Sequence, residues 1–204
     1  MLAFVVRKRF PGEEWDIRQF VQPLTPGVRR IAARLPKENF VRAAWEWVVK
    51  NIRYPYGPRE TEDRHTLEAY IKPDGSPRFR VTVDDFWSFP AETLAFGEGD
   101  CEDATFLLVS ILRTRLPADM VYATIGIFKN FGHAWVTVMD GKTPLVLETT
   151  PKRRNRMRFK KRQERPPYYP FFRFNDRKVV VVRKFHIPFI RSYEKVALIE
   201  AFLR

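Results

Sequence analysis

The stretch from 97 to 117 constrains this chain most. Gly-Glu-Gly-Asp-Cys-Glu-Asp opens it. Ala104, Leu107, Leu108, Ile111 and Leu112 then recur at the spacing of a helix buried along one side, and Leu116-Pro117 closes it. Asp100 suits the N-cap and Asp103 stands near the capping-box position, so the spacing predicts a helix starting near Cys101. The only cysteine of the 204 residues is thus set at a helix start. A thiol there meets unpaired N–H groups and the positive end of the macrodipole, both of which favour the thiolate. A lone cysteine is equally at home as a small buried hydrophobe, so its position alone does not make it a nucleophile.

Downstream, residues 121–128 alternate as a strand, 131–139 form a second, and an Asp140-Gly141 turn leads to a third at 145–149. Helix followed by antiparallel meander is an α+β pattern. Upstream, Phe40, Val41, Ala44, Trp47 and Val48 give a helix over 37–51 that Pro55 and Pro58 forbid from continuing. Trp45 and Trp47 read as core and cleft wall. Residues 1–36 predict irregular packing with a short helix at 27–35, and 58–82 a loop or hairpin insertion around Pro73-Asp74-Gly75-Ser76-Pro77. The segment from Asp84 and Asp85 to Leu94 leads into the cysteine and is expected to line its cleft. Tyr168, Tyr169, Phe171, Phe172 and Phe174 read as an aromatic, Pro-rich segment packed over a sheet, with a strand at 179–182 and a helix at 193–203. The expectation is a single domain over 1–204, with a core at 37–151, an N-terminal extension 1–36 and a basic, aromatic-rich C-terminal extension 152–204.

Composition narrows the classes. A hydrophobic content of 45% excludes a disordered chain. One cysteine excludes an internal disulfide framework and a Cys-rich zinc site, and three histidines leave little scope for a His-rich one. The apolar run at the N-terminus is too short for a signal peptide, and no later stretch has transmembrane length. The expectation is therefore cytoplasmic, although a mature chain stripped of its leader reads the same. Net charge is +13, and the densest run lies at 152–165. That run is either a solvated loop or a patch for an anionic partner, with Arg153, Arg154, Arg156 and Arg158 as its contacts. Abundant proline and arginine lean toward a thermostable protein.

A cysteine nucleophile needs a base to hold its proton and a third group to orient that base. His133 lies in the second strand. If Asp140 and Gly141 form a two-residue turn, counting back from Met139 and Lys142 sets His133 opposite Glu148. A four-residue turn leaves Glu148 opposite Trp135, still on the face of His133. Either register brings imidazole and carboxylate together, and a strand histidine with an incidental acidic neighbour is the plainer alternative.

These residues carry a resemblance. Gly99-Asp100-Cys101-Glu102-Asp103, Gly132-His133-Ala134-Trp135-Val136 and Leu147-Glu148-Thr149-Thr150 are similar to the three signature blocks of the transglutaminase-like superfamily, whose core is papain-like. Trp87, Pro90 and Glu92-Thr93-Leu94, ahead of the cysteine, resemble the bacterial transglutaminase-like cysteine peptidases. The resemblance spans residues 37–151 and implies a papain-like fold with Cys101 as nucleophile, His133 as base and then acid, and Glu148 as orienting acid. The family usually has Asp there, so the extra methylene of Glu148 must be accommodated. Trp87 and Trp135 are candidates for the oxyanion site or cleft, beside the Cys101 backbone N–H.

The resemblance implies a cysteine hydrolase, a peptidase or amidase acting through a thioester on a protein or peptide, with no required cofactor. Acyl transfer of the transglutaminase kind and deamidation use the same triad, and a non-catalytic polyanion-binding or structural module stays open. Asp100, Glu102 and Asp103 crowd the thiol and oppose its ionisation. Helix capping, pairing with the surplus arginines, or calcium, which one branch of the family uses near this block, would each answer them.

Overall fold

Asp100 caps the helix at the cysteine: its backbone is extended at φ −83° and its carboxylate accepts from the Asp103 N–H at 3.5 Å. The computed structural model describes residues 4–10, 12–54, 65–71, 77–83, 86–129, 131–150 and 159–182, with the backbone alone for 65–71 and 77–83. In chain order the elements are β1 (Val5–Val6), β2 (Trp15–Asp16), a 3-10 turn (Ile17–Phe20), α1 (Pro26–Arg34), α2 (Phe40–Asn51), β3 (His65–Ile71) and β4 (Pro77–Val83). Then come α3 (Pro90–Phe96), α4 (Cys101–Arg113), β5 (Val121–Phe128), β6 (Phe131–Asp140), β7 (Thr143–Leu147), β8 (Arg162–Gln163), β9 (Tyr168–Phe174) and β10 (Val179–Val181). The expected helix at 193–203 lies outside the described residues, as do Asp84, Asp85, His186 and the turn at 72–76.

The main sheet is antiparallel with strand order β10-β9-β5-β6-β7-β8, so the expected meander β5-β6-β7 is its centre. Along β5 and β6, Val121, Ala123 and Ile125 pair with Val138, Val136 and Ala134. This apolar face packs with Leu107, Leu108 and Ile111 of α4 in one buried cluster whose members run from Val6 to Phe174. Every residue of α4 from Glu102 to Leu112 is buried, because α1, α2 and α3 cover the sides the sheet leaves free. A helix enclosed all round shows its apolar stripe in sequence but not how many neighbours it has. Among the described residues no helix is long and apolar enough to cross a membrane.

The aromatic stretch at 168–174 departs from its sequence reading. It is β9, a member of the sheet hydrogen-bonded between β10 and β5 rather than a cover over it. Pro170 hides the strand, since proline removes a ladder donor, but it stands opposite Gly126 where the register shifts after Ile125. A Cβ on Gly126 would lie 2.2 Å from the Tyr169 carbonyl oxygen, so only glycine lets β9 approach there.

The hairpin between β6 and β7 settles the register. Asp140 faces Thr143, Val138 faces Leu145 and Val136 faces Leu147, leaving Gly141 and Lys142 as the loop. Gly141 takes φ +59° at the first loop position, where a primed turn needs it. One step past the last pair stand Trp135 and Glu148. That is the pairing expected of a longer turn, reached by a two-residue loop set one residue further along.

The N-terminal residues brace the segment before the cysteine. Arg9, almost wholly buried, donates to both Glu92 carboxylate oxygens at 2.7 Å and to the Trp87 carbonyl oxygen at 2.8 Å. Its guanidinium lies 4.0 Å from the Phe89 ring centroid, so charge and stem are both enclosed.

Candidate active site

Cys101 occupies the first position of α4, where its backbone N–H has no acceptor within the helix. His133 enters from β6, and Cys101 is among the groups that raise its basicity. His133 Nε2 stands 3.0 Å from each carboxylate oxygen of Glu148. The imidazole is therefore held by the carboxylate and coupled electrostatically to the cysteine, with its side chain 10% exposed and that of Glu148 22%.

Glu148 lies just beyond β7 and is fixed from several directions. Its Oε1 accepts from the N–H groups of Thr149 and Thr150 at 3.1 and 3.4 Å, and its Oε2 accepts from the Tyr168 hydroxyl at 3.0 Å. The Trp45 indole N–H donates to the Glu148 carbonyl oxygen, and the Thr105 and Thr149 hydroxyls bond at 3.3 Å, tying α2 and α4 to the same turn. Burial works against the Glu148 charge, but His133 and these donors outweigh it and hold the carboxyl below its ordinary range. Burial likewise lowers the basicity of His133, while the Glu148 charge and then Cys101 overcome it and push it up to about 10. Such a pair favours a protonated imidazole at neutral pH.

The acidic neighbours take separate partners. Asp100 caps α4. Asp103, fully buried, accepts the Ser88 N–H at 2.7 Å and so ties α4 to the segment after Trp87. Glu102 turns to the thiol, which donates from Sγ to Oε2 at 2.9 Å. Calcium held by this trio would need their oxygens to converge on one point. Among the described residues no group of three or more His, Cys, Asp or Glu side chains is placed to hold a metal ion. Because a carboxylate at that distance opposes negative charge on sulfur, Glu102→Gln should raise the rate of iodoacetamide alkylation at pH 7 by about tenfold. Timed mass spectrometry of the adduct measures it.

The two tryptophans nominated from sequence have other surroundings. Trp87 is 1% exposed, edge-on to Phe20 and Phe106 at 5.3 and 5.1 Å, and is a core ring. Trp135 is fully buried, and its single N–H goes to Glu164 Oε1 at 2.7 Å, which removes it as an oxyanion donor. Arg153, Arg154, Arg156 and Arg158 lie outside the described residues. Sequence reasoning passed over Trp45 and Tyr168 as site residues. Their one signal was a polar atom on an aromatic ring in an otherwise apolar run, since a buried indole or phenol needs a partner.

No family model matches the chain, and no curated protein does. Among solved structures, EGTA-treated Legionella pneumophila LapG superposes with a TM-score of 0.54 at 17% identity, over 86% of this chain and 86% of that one. The fold is papain-like and transglutaminase-like. A second Legionella pneumophila LapG structure agrees at a TM-score of 0.51 and 19% identity, over 87% of this chain and 84% of that one.

Proposed function

We propose that the chain is a cysteine hydrolase, cleaving peptide or amide bonds through a thioester on Cys101. The observation that carries this reading is a histidine paired with a carboxylate and coupled electrostatically to the only thiol. In the first half-reaction Cys101 Sγ bonds to the substrate carbonyl carbon, and the oxygen takes the negative charge beside the Cys101 backbone N–H. As the tetrahedral adduct collapses, the carbon–nitrogen bond breaks and the His133 proton passes to the departing amine. Neutral His133 then takes a proton from water, whose oxygen attacks the thioester. Collapse frees the acid and restores thiolate and imidazolium. Glu148 keeps the ring oriented and the imidazolium stabilised throughout.

Thiol labelling tests the pair without a known substrate. Iodoacetamide should alkylate Cys101 near neutrality faster than an ordinary thiol, and His133→Ala should cut that rate about a hundredfold. Ordinary reactivity, unchanged by the substitution, would sink the enzyme reading. With a glutamine donor peptide and a labelled amine, release of free acid without an adduct marks hydrolysis, whereas incorporation of the amine marks acyl transfer.

A further inference from the structure

Between β8 and β9 the chain leaves one side of the sheet and returns on the other, since β7, β6 and β5 lie between them. Residues 163–167 therefore cross the sheet face that carries Trp135 and Thr137, which both donate to Glu164. The crossing is pinned on the way, by the Glu164 N–H donating to the Pro144 carbonyl oxygen at 2.8 Å and by the Lys129 N–H donating to that of Pro167 at 2.9 Å. It brings Arg162 and Tyr168, from opposite sides of the sheet, together over Glu148. The Arg162 guanidinium lies 4.5 Å from the Tyr168 ring centroid and its Nη2 donates to the phenol oxygen. The phenol hydrogen is then directed to Glu148 Oε2.

We propose that Tyr168, anchored by Arg162, is a positioning residue for the hydrolytic reaction: it pins the second oxygen of Glu148 so that both face His133. The inference rests on the hydrolase reading. The need for it is written in the side chain, since glutamate has one more rotatable bond than the aspartate usual in the family and sits just past the end of a strand. The Thr149 and Thr150 N–H groups hold only Oε1, so beside His133 itself Tyr168 is the group that holds Oε2. Its ring cannot follow a swing of the carboxylate, being 1% exposed and packed on Trp135 at 5.1 Å and on Phe128 at 4.5 Å. Among the described residues the charged and titratable groups facing Glu148 are His133 from β6, Tyr168 from β9 and, through the phenol, Arg162 from β8, with Cys101 coupled to His133. Burial and the Glu148 charge push the phenol up, so it stays a donor through the range where the enzyme would work. The end of the basic run thereby gains a role that its charge pattern did not suggest.

The test is the pH profile of Cys101 alkylation by iodoacetamide in the full chain, with the thermal midpoint read alongside. In Tyr168→Phe the His133-dependent part of the rate should fall about tenfold, the loss expected for one hydrogen bond to a charged group, and its alkaline limb should move to lower pH. Arg162→Gln, an exposed change, should move the limb the same way by a smaller amount and decides the matter if Tyr168→Phe does not fold. A shifted midpoint with an unmoved limb means Tyr168 only packs, and the inference falls. If wild-type reactivity does not depend on His133, the hydrolase reading itself falls. If it does and neither variant moves the limb, only the positioning role is lost.

Discussion

Glu148→Gln should lower the hydrolysis rate by about a thousandfold while leaving the fold intact, because the amide keeps the shape of the carboxylate and loses its charge. The alkaline limb of the pH–rate profile should move as well. Burial is the largest influence on His133 and lowers its basicity, and the Glu148 charge is the largest of those that carry it up to about 10. In the proposed reaction the imidazolium is the acid for the departing amine, so wild-type activity should be lost as pH rises through about 10. Without the charge, burial is opposed by Cys101 alone, and the limb falls toward neutrality. Stability carries the same signs. A raised histidine contributes fully below the ordinary value of 6.5 and loses its contribution as pH rises through about 10. The depressed Glu148 contributes above its ordinary 4.5 and loses its contribution as pH falls. Urea midpoints across pH should show both slopes in the wild type and neither in Glu148→Gln. An alkaline limb that stays near its wild-type position would mean that Glu148 does not set the charge of His133.

How much of this was legible before the structure follows from the range of each interaction. The α4 stripe, the three central strands and the near approach of His133 and Glu148 depend on local periodicity and one turn, and each could be read by counting along the chain. The two possible turns differed only in whether His133 or Trp135 stood across from Glu148, and both kept the acid on the right face. What did not show was long-range. The Trp45 bond to Glu148 spans a separation of 103 residues, and the partner of Tyr168 depends on which strand β9 joins. The proline at 170 argued against a strand there, and only the glycine opposite it made one possible. The trio of carboxylates around Cys101 showed in sequence as crowding. Their separate partners depend on side-chain directions about the first turn of a helix, which residue spacing alone does not fix.

Glu164 was the least visible of the functional neighbours, because it sits in the densest basic run and reads there as one acid in a solvated loop. It is instead 4% exposed within the crossing segment, accepting from the Trp135 indole at 2.7 Å, the Thr137 hydroxyl at 2.8 Å and the Arg173 guanidinium. Glu164→Ala should destabilise the fold by about 3–5 kcal/mol, since it leaves a nearly buried guanidinium without its partner and an indole N–H unsatisfied. Glu164→Gln keeps an acceptor and should cost less than half as much. Replacing Glu164 and Arg173 together with apolar residues should recover most of the loss, because two buried charges are costly mainly when only one of them remains. Urea unfolding of the three variants gives the ordering. If the single Ala change and the double change cost the same, the ion pair is not what holds the crossing segment to the sheet. Trp135 stands two residues from His133 on the same face of β6 and packs against Tyr168, so the Ala variant should also slow Cys101 alkylation. That loss should track the stability, with the alkaline limb left in place, and so differ in kind from the loss in Tyr168→Phe. The same crossing would then serve twice, its acid holding the segment on the sheet and its two ends, Arg162 and Tyr168, holding Glu148 on His133.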